Sequence, residues 1–136
     1  MERLKNLLMQ VVAANLFQQE KFDALSIENA VSSREEKSFD DAWVIAFGRM
    51  KRDGVVLGDR VELDNLRELA FKSAFKVTRS SDIAGFVCDD FELIFRSLVA
   101  FQDKWVSMLL QVYIDGGFPC EIRGGYPSTR SPSGMR

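Results

Sequence analysis

Asp40-Asp41 and the group Asp89-Asp90 with Glu92 are the densest carboxylates beside apolar stretches of this 136-residue chain. Carboxylates grouped in this way can hold a divalent cation or share acid–base work. Both groups also stand where a helix is expected to begin. There an acid has a plainer task, accepting bonds from free backbone N–H groups at the positive end of the helix. The capping role is the stronger reading, because no EF-hand loop and no Glu-x-x-His pair accompanies these residues. The remaining chemistry is narrow. The chain has no histidine, so it has no Ser–His or Cys–His nucleophile pair, no histidine phosphotransfer and no imidazole metal ligand. Its two cysteines, Cys88 and Cys120, are too few for a structural zinc site or a disulfide framework and are expected to be reduced. Cys88 lies beside Asp89 and Asp90, which oppose a thiolate, and reads as buried and inert. Cys120 follows a Gly-Gly-Phe-Pro turn and is expected to be exposed.

Two other groups have ready structural readings. Gly54-x-x-x-Gly58-Asp59-Arg60 lacks the Gly-Lys-Ser/Thr ending of a phosphate loop and reads as a hinge. Lys72, Lys76 and Arg79, joined by Arg67, form one basic flank of a helix; a solvated face is the default, an anion or acidic partner the alternative. No catalytic residue, metal ligand or cofactor is assigned.

These side chains must be carried by helices. Leu4, Leu7, Leu8, Val11, Val12 and Leu16 recur at three- and four-residue steps, which predicts a helix over 2–16. A second is expected near 21–36, with Arg34-Glu35-Glu36-Lys37 as its solvated end. A third, capped by Ser38 or Asp40, carries Trp43, Ala46, Phe47 and Met50 and stops near Gly54. A fourth spans about 62–78 and a fifth about 83–100. Asp82 is the expected cap of the fifth, although Asp89 and Glu92 stand in capping-box register, so that its regular part would begin only there. The sixth runs from about Asp103 to Asp115 and ends at Gly116-Gly117, with Pro119 beyond.

One phrase occurs twice. Phe39-x-Asp41-x-Trp43-Val44 is followed after eight residues by Asp53-Gly54, and Phe101-x-Asp103-x-Trp105-Val106 after eight by Asp115-Gly116, 62 positions later. At the same shift Leu4 falls on Leu66, Lys5 on Arg67 and Leu7 on Leu69. The spacing implies two three-helix units, about 2–54 and 64–116. Within the phrase, Phe staples, Asp caps, Trp anchors the core and Asp-Gly stops the helix.

Composition sets the outer limits. With 46% apolar and 28% charged residues the chain is ordinary for a soluble domain, and its length suits a single one, about 1–123. Residues 117–136 hold three Arg and one Glu; removing them from 18 basic and 20 acidic residues leaves 15 and 19, so the body is mildly acidic. That balance disfavours duplex nucleic acid, and no run approaches the apolar length of a membrane-spanning helix. No secretory-signal pattern opens the chain, and the expected location is cytoplasmic. From Gly124 the composition turns to Gly, Pro, Ser, Thr and Arg, and 124–136 is expected to be a flexible tail.

The fold expected is therefore all-α, about six helices packed as a compact bundle or short solenoid. The expected function is a non-catalytic protein-binding module. One concrete form is a bacterial-type immunity or antitoxin protein, whose acidic body covers a basic partner. Its candidate contact residues are Asp41, Asp89, Asp90, Glu92, Trp43 and Trp105. The alternative is a ligand-binding or enzymatic helical domain with carboxylates such as Asp41, Asp89, Asp90 or Asp103 around a pocket between the units.

Overall fold

Residues 2–17, 22–52, 60–100 and 103–129 are described in the computed structural model. Six helices follow one another: α1 (Glu2–Asn15), α2 (Ala24–Arg34), α3 (Lys37–Arg52), α4 (Arg60–Thr78), α5 (Ser81–Ala100) and α6 (Lys104–Ile114). A hairpin of two short antiparallel strands, β1 (Glu121–Arg123) and β2 (Tyr126–Ser128), completes the described chain. The fold is all-α with this one small addition.

The helix with the widest apolar surface lies at the centre. On α5 the buried residues Ile83, Ala84, Val87, Phe91, Leu93, Ile94 and Phe95 go well around the axis, as a helix enclosed by neighbours requires. α4 makes the most extensive packing with it, burying Leu63, Leu66, Ala70 and Ala74. The two alanines let the helix backbones approach closely. α1 covers α4 through Leu8 and Val12, and Lys5 meets Glu62 at 3.1 Å. α6 closes the bundle with Trp105, Val106, Leu109 and Tyr113, all buried, while α2 and α3 pack on α5.

The helix ends explain several departures from expectation. α3 opens at Lys37, so neither Ser38 nor Asp40 caps it; the additional turn places Phe39 on its inner face, 1% exposed. α5 is continuous from Ser81. Its start is held by Ser80, whose Oγ accepts from the Ile83 N–H at 3.2 Å, so Asp82 is a first-turn acid rather than the cap, and Asp89 and Glu92 lie mid-helix. The turn before it uses Arg79 at φ +57°, where a glycine would be free of strain. α6 does end as expected: Asp103 caps it, and Gly116 at φ +89° lets the N–H groups of Gly116 and Gly117 close on the carbonyls of Tyr113 and Val112.

Composition misplaced the end of the folded chain. Gly124 and Gly125, both at positive φ, make the two-residue turn that suits a hairpin, and Ile122 pairs with Pro127. β2 packs on α6, so the folded body runs beyond 124, the expected start of the tail. The hairpin also encloses Cys120, which is buried rather than exposed, its N–H bonded to the Ser128 carbonyl. Residues 130–136, and the Gly54–Asp59 connector, lie outside the described residues.

Two equivalent units are not established. Leu8 and Val12 of α1 fall on Ala70 and Ala74 of α4 at the 62-residue shift, and all four are buried. The shared phrase, however, lands in unlike surroundings. Asp103 is the cap of α6, whereas Asp41 sits inside α3, exposed and bonded to Lys37 at 2.7 Å. Val106 is buried and Val44 is 55% exposed. The two copies therefore meet different neighbours: Asp41 lies within its helix, whereas Asp103 stands just before its own. Phe101, Asp53 and Gly54 of the phrase lie outside the described residues.

Candidate functional site

The densest polar arrangement in the described chain is inside it. Arg34, the last residue of α2, and Asp90, at the middle of α5, are both buried and meet as a two-bonded pair, Nη1 to Oδ2 at 2.9 Å and Nη2 to Oδ1 at 2.8 Å. Trp43 of α3 donates its indole Nε1–H to Oδ1 at 2.9 Å, and the Tyr113 hydroxyl of α6 donates to Oδ2 at 2.5 Å. Each carboxylate oxygen therefore accepts two bonds, which fills the four acceptor positions an ionised carboxylate offers. Nη1 of Arg34 also donates to the Pro119 carbonyl at 3.1 Å. The guanidinium carbon stands 4.4 Å from the Phe39 ring centre, 4.7 Å from Phe86 and 5.3 Å from Phe118. Four helices and the loop after α6 thus converge on one charge pair. Burial, followed by the Asp90 charge, pushes the Tyr113 hydroxyl well above its ordinary range, so it remains the donor.

A second pair braces the same helices from outside. Arg49 of α3 reaches Asp103 through Nε at 2.6 Å and Nη2 at 3.0 Å, while Asp103 accepts the Val106 N–H and gives its own N–H to Ser97. Burial works against the ionised acid, but the Arg49 and backbone hydrogen bonds together with the Arg49 charge outweigh it and hold the Asp103 carboxyl below its ordinary 3.8. A lowered folded-state value means the stabilisation is complete above the unfolded-state value and is lost as pH falls through the folded one. Asp103→Asn keeps a capping oxygen but removes the charge that faces Arg49, and should accordingly lose stability at neutral pH by up to about 1 kcal/mol for a part-exposed ion pair. The difference from the parent chain should shrink below about pH 4. Urea titrations at pH 7 and pH 3 read both.

The candidate residues from the sequence fall into two classes. Asp90 and Trp105 are buried, with Asp90 0% exposed and fully bonded. Trp105 packs edge-on against Phe39, and its Nε1–H has no hydrogen-bond partner among the described residues. Asp41 and Asp89 are exposed, Glu92 is half-buried, and so is Trp43. The carboxylates offered for an alternative chemistry are each met by a different base: Asp41 by Lys37, Asp89 by Arg67, Asp90 by Arg34 and Asp103 by Arg49. Among the described residues no three His, Cys, Asp or Glu side chains gather as a metal site would require. Sequence reasoning missed Arg34. It was read as part of a solvated helix end, and its partner is 56 residues away, so no local pattern marks it.

Outward from Trp43 the surface changes character. The indole stacks on Phe47 with ring centres 5.6 Å apart, and beside them Val44 and Ile45 are more than half exposed. Just before, the turn and first helical residues carry Glu35, Glu36, Asp40 and Asp41 against Lys37, all exposed. On the α4–α5 side, by contrast, Arg67 bonds Glu92 at 2.6 Å and meets Asp89 at 3.2 Å, and Arg96 bonds Glu92 at 2.9 Å. Its acids are already paired. No described helix is long and apolar enough to cross a membrane.

Two comparisons bear on this arrangement. Residues 6–120, nearly all of the helical body, match the family model described as Immunity protein PIM1. No curated protein matches the chain.

Proposed function

The chain belongs to the immunity protein PIM1 family, and on that premise we propose that it acts by binding another protein, a toxin, and covering it, without a catalytic step of its own. The family match is the observation that carries this reading. The side-chain chemistry agrees with it: the most elaborate polar cluster is a closed, saturated structural centre, and each carboxylate with a catalytic alternative is held by its own base. The Asp90 carboxylate, with all four acceptor positions filled, has none left for a substrate. The mildly acidic body favours a basic partner and speeds encounter with it. Of the residues named from sequence, Asp41 and Trp43 belong to the contact in this reading. Asp90 and Trp105 support it from within, and Asp89 and Glu92 lie on a face already neutralised by Arg67 and Arg96.

The test is recovery from the native cell. The untagged chain should co-purify with one protein at a fixed ratio, and producing that protein alone in a sensitive host should arrest growth. Co-production of the chain should restore it. Recovery of no partner, or growth restored equally well by an unfolded variant, would sink the proposal.

A further inference from the structure

We infer that the outward face of α2, together with the turn into α3, is the docking surface for the partner, and that it takes a basic protein surface. This rests on the protein-binding reading above and adds where and by what chemistry. The lack of cover on α2 and the sign of its charge both lead here. Of the 11 residues of α2 only Ala30 and Arg34 are buried, with Ile27 and Val31 partly buried beside them, so the helix is held along one narrow edge and by the Arg34–Asp90 bonds. Leu25, Glu28, Ser32 and Glu35 recur at steps of three and four on the opposite side, and all are exposed. Leu25 is 65% exposed, the most open large apolar side chain among the described residues.

Between Asp23 and Asp41 stand six exposed acids, Asp23, Glu28, Glu35, Glu36, Asp40 and Asp41, and two bases. Arg34 is buried with its charge met by Asp90, and Lys37 is bonded to Asp41 at 2.7 Å. No base is bonded to the other five acids among the described residues. Glu20 and Lys21, just before, add one charge of each sign. α2 packs on α5 and α3. The base of α5 is Arg96, which is bonded to Glu92. The further bases of α3 gather at its far end: Arg49 is taken up by Asp103, while Lys51 and Arg52 stand beyond Asp41 by about 15 Å along the helix axis. Lys37, Lys51 and Arg52 together set three cations against the six acids, a balance of −3. At that separation salt screens the last two from the turn.

The joined end of the α2–α3 pair is thus acidic, and the bases lie away from it. A surface of Lys and Arg side chains is its complement, and exposed charges of this kind act mainly on the rate of encounter. Leu25, about 10 Å from Ser32 along the same stripe, supplies the apolar contact. Elsewhere the acids are already matched: Asp89 and Glu92 by Arg67, and Glu68 by Lys72. The stacked pair Phe71–Phe75 on α4 is the competing apolar patch, but there each ring covers the other and no excess charge selects an occupant.

The experiment places a photo-crosslinking phenylalanine at Ser32, and separately at Phe71 and Val61, in the full chain within its native cell. Adduct from position 32 alone, with a protein in which Lys and Arg outnumber Asp and Glu, is the expected result. Glu28→Lys with Glu35→Lys, carried with the position-32 probe, should cut the yield about tenfold without lowering Tm, since both side chains are exposed. Glu68→Lys with Asp115→Lys reverses the same amount of charge at exposed sites elsewhere and should leave the yield unchanged. Equal loss from both variants would mean that overall charge draws the partner, and would overturn the location. Adduct from 71 or 61, with or without one from 32, would overturn the surface while leaving protein binding intact. A partner recovered by co-purification with no adduct from 32 would do the same. Adduct from 32 with an acidic protein, or with a second copy of this chain, would overturn the partner chemistry. No adduct and no co-purified partner would count against this surface and the protein-binding reading together.

Discussion

Asp90→Ala should cost the fold about 3–5 kcal/mol, the range for breaking a buried ion pair by removing one partner. The loss goes beyond one bond. Arg34 would keep its charge among the Phe39, Phe86 and Phe118 rings with only the Pro119 carbonyl as acceptor, and Trp43 and Tyr113 would each lose the partner of a buried or half-buried donor. Small domains have about 5–15 kcal/mol in total, so much of the molecule should be unfolded well before the parent chain in a urea titration. The pair is not itself a large net source of stability, because both charges give up water to form it. Replacing both partners with apolar residues, Arg34→Met with Asp90→Leu, should therefore recover most of what either single change loses. A double variant as unstable as the singles would show that the two orphaned donors, not the charges, carry the cost.

Trp105→Ala should be the other severe change, about 3–5 kcal/mol for removing a large buried ring and leaving a cavity. Trp105 is 7% exposed and lies edge-on to Phe39, between α3 and α6. Trp43→Ala should cost less stability, since its ring is half-buried and only one of the four donors to Asp90 is lost. Equal loss of stability in the two variants, by matched thermal melts, would contradict the difference in their surroundings.

That difference also marks how far the sequence could be read. The six helices were legible because Leu63, Leu66, Ala70 and Ala74, or Ile83, Val87, Phe91 and Ile94, repeat at helical spacing and are buried where that spacing says. Asp103 and Gly116-Gly117 act locally, and their roles as cap and terminator were visible. What was not visible depends on distance. Arg34 becomes a core residue only because Asp90 comes to it from another helix, and the two copies of the repeated phrase differ because the helices that carry them meet different neighbours. Cys120 looked exposed because it follows the Gly-Gly-Phe-Pro turn. The Ile-Arg-Gly-Gly-Tyr stretch did carry a hairpin signal, two glycines between strand-forming residues, that composition concealed.

The clamp at Asp90 has a bearing on the order in which the chain assembles. α4 and α5 are joined by two residues and can associate locally, whereas Arg34 must close 56 residues to reach Asp90 and 85 to reach Pro119. Closing long loops is slow relative to local pairing. The segment α2–α3 is thus expected to join last and to detach first, as a unit of lower local stability than the α4–α5 pair. Native-state hydrogen exchange should show its amides opening at lower free energy than those of α5; uniform protection across the two would refute this. A latch of this kind would put α2 and α3 on the most readily released part of the molecule, so that a partner gripping either helix would also tighten the latch, in one thermodynamic event.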